Sequence, residues 1–434
     1  MALQQGLSGL DSATSQLNII GNNIANSSTV GYKSGSVEFA DVYANSLNGG
    51  GASNIGIGVQ TAATQQDFSQ GTITTSTNPL DIAINGKGFF QVSTAGALSY
   101  TRNGQFQLDK SGNLVTATGA NLQGYSATAT GVLNTGSPTN ININTANLAP
   151  VATKNVGTEL NLDSRLPVLP AASFSSTNPT TYSYSTSVSV YDSLGDSHAL
   201  QTYYVNTGPA APVAPATTGE ATWSVFATVD GTPVGYVPPA APVAVATLAF
   251  KSDGSLDTAS STPVPSPATP TTFSIPLSMT LANGATTPQT VAMAYTGTTQ
   301  YGSAVGVNAQ TQDGYTSGQL SNFTAGANGD ITGTYSNGQT AVLGQIVLAN
   351  FVNPNGLESI GGNQYAVSPT SGSALVGAPE TGSLGALQSG ATESSNTDLT
   401  AELVDMITAQ RDYQANAQTL KTEDQIMQTL VTLR

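Results

Sequence analysis

The last forty residues, SNTDLTAELVDMITAQRDYQANAQTLKTEDQIMQTLVTLR, constrain this chain most, because they carry one long apolar stripe at helical spacing. Leu399, Leu403, Met406, Tyr413, Ala417, Leu420, Met427 and Val431 fall on alternating steps of three and four, interrupted only by Gln410 and Asp424. That is the pattern of a coiled-coil seam. Ser395-x-x-Asp398 approximates a capping box and marks the start. Asp398, Glu402 and Asp405 complement the positive end of the helix dipole and Arg434 the negative end. Running from Asn396 to Leu433, such a helix is about 57 Å long at about 1.5 Å per residue. It is too long for the interior of a small domain and needs a partner along its length.

The partner is expected at the other end of the chain, where Leu3, Leu7, Leu10, Thr14, Leu17, Gly21 and Ile24 repeat the same spacing. The self-assembly seam read from the two stripes comprises Leu3, Leu7, Leu10, Leu17, Ile24, Leu399, Leu403, Met406, Tyr413, Leu420 and Met427. The opposite face of the first helix holds Gln4, Gln5, Ser8, Ser12, Ser15, Gln16, Asn18, Asn22 and Asn23, with Asp11 its one charged side chain. Solvated helices usually carry charge pairs four residues apart. A face of amides and hydroxyls points instead to burial against further copies of the chain.

Charge is scarce throughout. Charged residues are 8% of the chain, against roughly 25% in average soluble proteins, so the surface is Ser, Thr, Asn and Gln. The formal net charge is -15, with no Lys or Arg between Lys251 and Arg411. Nucleic acid and anionic membranes both require a basic footprint and are excluded as partners. With no Cys, neither disulfides nor thiolate metal sites are available. No apolar run of about 18 residues offers a membrane span. The first residues lack the basic region and apolar core of a secretory signal, so export, which the Thr/Ser-rich strands suggest, is expected without a cleaved signal peptide.

The expected fold is mixed α and β and multidomain: paired terminal helices, coiled-coil-like, with two nested all-β domains. Residues 1–30 and 395–434 form the helical domain, and 31–77, Gly-rich and aperiodic around Asn48 to Gly51, read as an extended connector. From about Asn78 the apolar period becomes two, with Leu80, Ile82 and Ile84 alternating before Asn85-Gly86, and a turn at Asp109 to Asn113. This first β domain takes in 78–145 and 316–394. The inserted outer β domain, 146–315, alternates Tyr182, Tyr184, Val188 and Val190 with serines, and has a second alternating run in Phe273, Ile275, Leu277, Met279 and Leu281. Trp223, Val225 and Val229 lead to Asp230-Gly231, and Ala/Pro runs at 209–215 and 237–242 read as loops.

The stretch Asn22-Asn23-Ile24-Ala25-Asn26, followed by Thr29, Val30, Gly31, Tyr32 and Lys33, resembles the signature behind the first helix of bacterial flagellar rod and hook axial proteins. The resemblance continues at Leu80-Asp81-Ile82-Ala83-Ile84-Asn85-Gly86-Lys87-Gly88-Phe89-Phe90, at Tyr100-Thr101-Arg102-Asn103-Gly104-Gln105-Phe106 and from Met406 to Ala417. Within that family the large insertion, including Val190 to Asp196, is similar to that of hook proteins, whereas distal rod proteins lack a middle domain of this size. The family signature residues here are Asn22, Asn23, Ala25, Asn26, Thr29, Gly31 and Tyr32. The resemblance implies a tubular homopolymer, exported unfolded through the flagellar type III apparatus and assembled beneath a hook cap. It also implies a distal rod protein and a hook-filament junction protein as neighbours. The terminal helices would line the tube and the inserted domain would face outward.

Sites for chemistry fare poorly. His198, the one histidine, lies near Asp192 and Asp196, but one His without Cys is a poor ligand set and the segment reads as a turn. Asp109 to Asn113 lacks the glutamate of a calcium loop, and Gly86-Lys87-Gly88 lacks the spacing of a phosphate loop. No catalytic, cofactor or metal residues are expected. The reading is a flexible helical tube joining rod to filament, with unlike surfaces meeting in a non-closing operation. The alternatives are a rod-like segment that does not bend and, from another class, a secreted adhesin.

Overall fold

The computed structural model describes residues 2–42, 58–128, 131–209, 221–235, 240–263 and 273–432. The run Asn48 to Gly51, most of the two Ala/Pro runs and the side chains of Leu3 and Val431 lie outside the described residues, as do Leu433 and Arg434. The protein is mixed α and β and multidomain. Helices α1 (Ala2–Ala25) and α2 (Leu399–Thr432) flank a succession of mostly antiparallel strands. Among the described residues no helix is long and apolar enough to cross a membrane.

The chain divides into two compact units. The first comprises Met1–Thr145, Leu320–Thr334 and Thr340–Arg434. Its main sheet closes because the returning chain pairs with the outgoing one: Gln345 opposes Tyr125, Leu348 opposes Phe90 and Tyr365 opposes Tyr100. The core gathers Ile82, Ile84, Phe90, Phe106, Leu122, Ile346 and Leu348. A second, aromatic cluster sets Phe89, Tyr100, Phe351 and Tyr365 edge to face. At the turn expected from Asp109 to Asn113, Leu108 pairs with Leu114, and Asp109 Oδ1 accepts the N–H groups of Ser111 and Asn113, each at 2.8 Å.

The segment 31–77, expected as an extended connector, contains paired strands among its described residues, a detail the sequence reading did not resolve. Gly35–Val42 and Gly58–Gln66 pair antiparallel with a bulge between Glu38 and Phe39, and Ile73–Thr75 pairs with Ala391–Glu393. The paired strands are polar and expose much of their length, so they show no apolar period. They take their order from packing on α1, where Ile19 lies against Gly35 and Ser8 against Gly58.

The start of α2 differs as well. Asp398, not Ser395, is the cap: its Oδ1 accepts the N–H groups of Thr400 at 2.9 Å and Ala401 at 3.3 Å. Ser395 Oγ is occupied one turn earlier by the N–H of Thr397. The helix therefore has 34 residues, about 51 Å at about 1.5 Å per residue.

The second unit comprises Ala146–Gln319 and Tyr335–Gln339. One sheet orders Tyr184–Tyr191, Ser197–Pro209, Ala221–Val229, Ala246–Phe250 and Leu256–Pro263, all antiparallel. The other is mixed: Asn155–Asp163 runs parallel to Gln289–Ala294 and antiparallel to Gly306–Gln312. Phe273, Ile275, Leu277, Met279 and Leu281 are all buried, as their period of two requires. They join Trp223, Tyr204 and Tyr295 in one core. The strand Ala221–Val229 is covered on both faces, since Phe226 turns the other way onto Phe174, Tyr203 and Val205.

Candidate assembly surface

The two helices lie antiparallel. A Cβ on Gly6 would sit 3.0 Å from Leu420 Cγ and one on Gly9 2.8 Å from Asn416 Oδ1. Nearer the other end of the pair, Asn23 Nδ2 donates to Glu402 Oε1 at 2.8 Å. The buried row of α1 is Gly6, Ala13, Ile20 and Asn23, and the covered row of α2 runs through Glu402, Met406, Ala409, Asn416, Leu420 and Glu423. Small side chains set the closest approach, since interaxial distance follows the residues at the contact.

This row is displaced from the stripe of large side chains. Met406 and Leu420 lie in it, and Leu10, Leu17 and Ile24 are half-buried beside it. Leu7 is 56% exposed. Leu399, Leu403, Tyr413 and Met427, together with Val404, Ile407 and Ile426, are between 41 and 57% exposed. Among the described residues no ion pair lies on α2. A helix surface with this much apolar area and so little charge pairing is a candidate for contact.

Part of the polar face of α1 is covered from within the chain, which revises the expectation that further copies cover it. Ser8 Oγ accepts the N–H of Val59 at 3.3 Å. A cleft of about 430 Å³ remains between α1, α2 and the strand pair, lined by Gln5, Ser12, Gln16, Phe39, Asp412 and Asn416 among others.

The signature residues form the root that fastens both helices to the sheets of the first unit. Asn23 is buried; its Oδ1 accepts Tyr32 Oη–H at 3.1 Å and the N–H of Gly35 at 2.9 Å. Asn26 Nδ2 donates to Asn22 Oδ1 at 2.7 Å, and Thr29 Oγ1 donates to Asn26 Oδ1 at 3.2 Å. Ala25 ends α1 and is exposed. Gly31 has φ 71°, donates its N–H to Glu393 O at 2.8 Å, and leaves no room for a Cβ, which would lie 2.6 Å from Asn103 N.

At the centre of the root Lys33 Nζ meets Glu393 Oε1 at 2.6 Å, both side chains fully buried, and Arg102 Nε lies 3.4 Å from Glu393 Oε2. Lys33 Nζ also donates to Ser69 O at 2.6 Å, and Gly71 N–H to Glu393 Oε1 at 2.9 Å. Burial holds the Lys33 ammonium below the usual lysine range, with Glu393 opposing. Burial lowers Arg102 in the same way, again against Glu393. Asn396, two residues before the cap, accepts the N–H of Ser34 at 2.8 Å and donates to Asp67 O at 2.8 Å.

Sequence reasoning missed Glu393 and Asn396. In a chain this poor in charge, an acid next to the start of α2 was the available signal for a buried counter-ion to Lys33 and Arg102. Among the described residues no group of three or more His, Asp or Glu side chains is placed to hold a metal.

Four family models match the chain: Flagella basal body rod protein over 3–33, Flagellar hook protein FlgE/F/G D1 domain over 83–158, Flagellar basal body protein FlaE D2 domain over 161–315, and Flagellar basal body rod FlgEFG protein C-terminal over 388–433. The Flagellar hook protein FlgE of Escherichia coli (strain K12) is 40% identical over 439 residues, covering 100% of both chains. The chain belongs to the flagellar hook protein family. A more distant member, from Borreliella burgdorferi, is 32% identical and covers 100% of this chain and 99% of its own. The fold is similar to the crystal structure of Helicobacter pylori flagellar hook protein FlgE2, with a TM-score of 0.52 at 16% identity, over 73% of this chain and 99% of that one. The first and last matched segments coincide with α1 plus the root and with α2, so family membership rests in part on the helical surface described above.

Proposed function

We propose that this chain is the structural subunit of the flagellar hook, self-assembling into a flexible helical tube that acts as a universal joint between the basal-body rod and the filament. The observation that carries the reading is the set of half-exposed apolar side chains along α2, from Leu399 to Met427. Burying the remaining half of each such side chain is worth roughly 0.7–1.5 kcal/mol, and among the described residues nothing covers that half. The proposed seam is therefore Leu7, Leu399, Leu403, Tyr413 and Met427, with Leu10, Leu17, Ile24, Met406 and Leu420 holding the pair together beneath it. Unlike surfaces repeating in a non-closing operation give a tube.

Helices this exposed are marginal alone and gain order among sister molecules, while uncharged polar β surfaces slip past one another without breaking ion pairs. In this reading the subunit is exported through the flagellar type III apparatus. It is added beneath the hook cap and meets the distal rod protein at one end of the tube and the hook-filament junction protein at the other. Negative-stain microscopy of concentrated protein is expected to show tubes, and circular dichroism a higher helix content in polymer than in monomer. Equal helix content in both, or the absence of tubes, overturns the reading.

A further inference from the structure

His198 is the single histidine of the chain, and its imidazole has carboxylate oxygens at both nitrogens. Nδ1 lies 2.7 Å from Asp230 Oδ2 and Nε2 lies 3.2 Å from Asp192 Oδ2. A neutral imidazole carries one N–H and one lone pair, so in this position its lone pair would face an anionic oxygen. Only the imidazolium donates to both.

The three residues join separate turns of the second unit. Asp192 opens the turn between Tyr184–Tyr191 and Ser197–Pro209, and its Oδ1 accepts the N–H groups of Leu194 at 2.8 Å and Asp196 at 2.9 Å. Asp230, at φ 48°, occupies the turn after Ala221–Val229, and its Oδ1 accepts the N–H of Ala199 at 2.9 Å. Asn283 Nδ2 donates to both Asp192 Oδ2 and Asp196 Oδ2, which brings in the loop after Ser274–Met279. The Asp192 side chain is fully buried, and among the described residues His198 is the one cationic partner of these carboxylates.

We propose that His198 is an alkaline-sensitive latch: as an imidazolium it fastens the 192–196 turn to the Asp230 turn, and loss of its proton releases that fastening and loosens the second unit. The electrostatics agree in sign. Burial alone would lower the imidazole, but Asp230 and Asp192 together raise it above the usual 6.5. Burial would raise Asp192, but Asn283, the Asp196 and Leu194 amides and His198 hold it down at about 2. A raised histidine contributes stability that is complete below about pH 6.5 and is lost as pH rises through its folded-state midpoint.

Two features make the test direct on the full chain. One histidine gives one imidazole resonance, and Trp223, the single tryptophan, lies in the core of the second unit and reports on that unit's unfolding. The imidazole is expected to titrate above 6.5, and the urea midpoint read from Trp223 fluorescence to fall between about pH 6 and about pH 9. In His198→Gln that fall is expected to disappear. A titration at or below 6.5, or the same fall in His198→Gln, overturns the latch. Should His198→Gln not fold, Asp230→Asn removes one carboxylate from an exposed turn. Its imidazole midpoint is expected to drop toward 6.5, and an unmoved midpoint rejects the proposal.

Discussion

Helix α2 and the second unit treat their apolar residues in opposite ways. In the second unit Trp223, Tyr204, Tyr295 and the alternating row from Phe273 to Leu281 are all buried within the chain. Along α2 seven large apolar side chains remain half exposed. The first region is complete as a fold. The second leaves apolar area uncovered among the described residues, and the difference separates residues that hold the subunit together from residues proposed to hold subunits to one another.

The comparison is broken most severely by removing both helices. A chain lacking 2–25 and 399–432 is expected to form no tubes in negative stain while its second unit still unfolds cooperatively by Trp223 fluorescence; tubes of normal length would end the proposed role of the helices. Next in size, Trp223→Ala is expected to cost roughly 3–5 kcal/mol of second-unit stability in urea titration. Glu393→Gln leaves Lys33 and Arg102 buried without their counter-ion, and the first unit is expected to lose about 3–5 kcal/mol. Its denaturation midpoint by circular dichroism checks this.

The sharper test replaces exposed residues. Leu403→Ser with Ile407→Ser is expected to cost the monomer no more than about 1.5–3 kcal/mol, the value of the two halves already buried. The subunit concentration needed for sedimentable polymer should rise at least about tenfold, equivalent to about 1.4 kcal/mol. A stability loss without any change in polymerisation would reassign these side chains to the subunit's own core. The smallest effect is expected from Asp398→Ala, about 1 kcal/mol through the lost cap, visible as a lower helix signal in the monomer.

What the sequence made legible follows from how local each signal is. The Phe273 to Leu281 strand was readable because a period of two is written into neighbouring residues, and the two helices because periods of three and four are. The contact row between α1 and α2 was not, because apolar periodicity finds large side chains while the closest approach uses Gly6, Gly9 and Ala13. The strand pair 35–66 was hidden because its order comes from α1 and not from an apolar face of its own. Lys33 and Arg102 stood in recognised motifs, but Glu393, 360 residues from Lys33, had no local pattern to announce it.

The root around Glu393 has a mechanical consequence. Since α1 runs toward the root and α2 away from it, the covalent connections of both helices to the sheets leave from the same end of the pair. Load carried from the rods into the sheets by that route falls on Lys33, Glu393, Arg102 and Asn396. Retuning that root would change how stiffly the rods are carried while leaving their mating surfaces untouched.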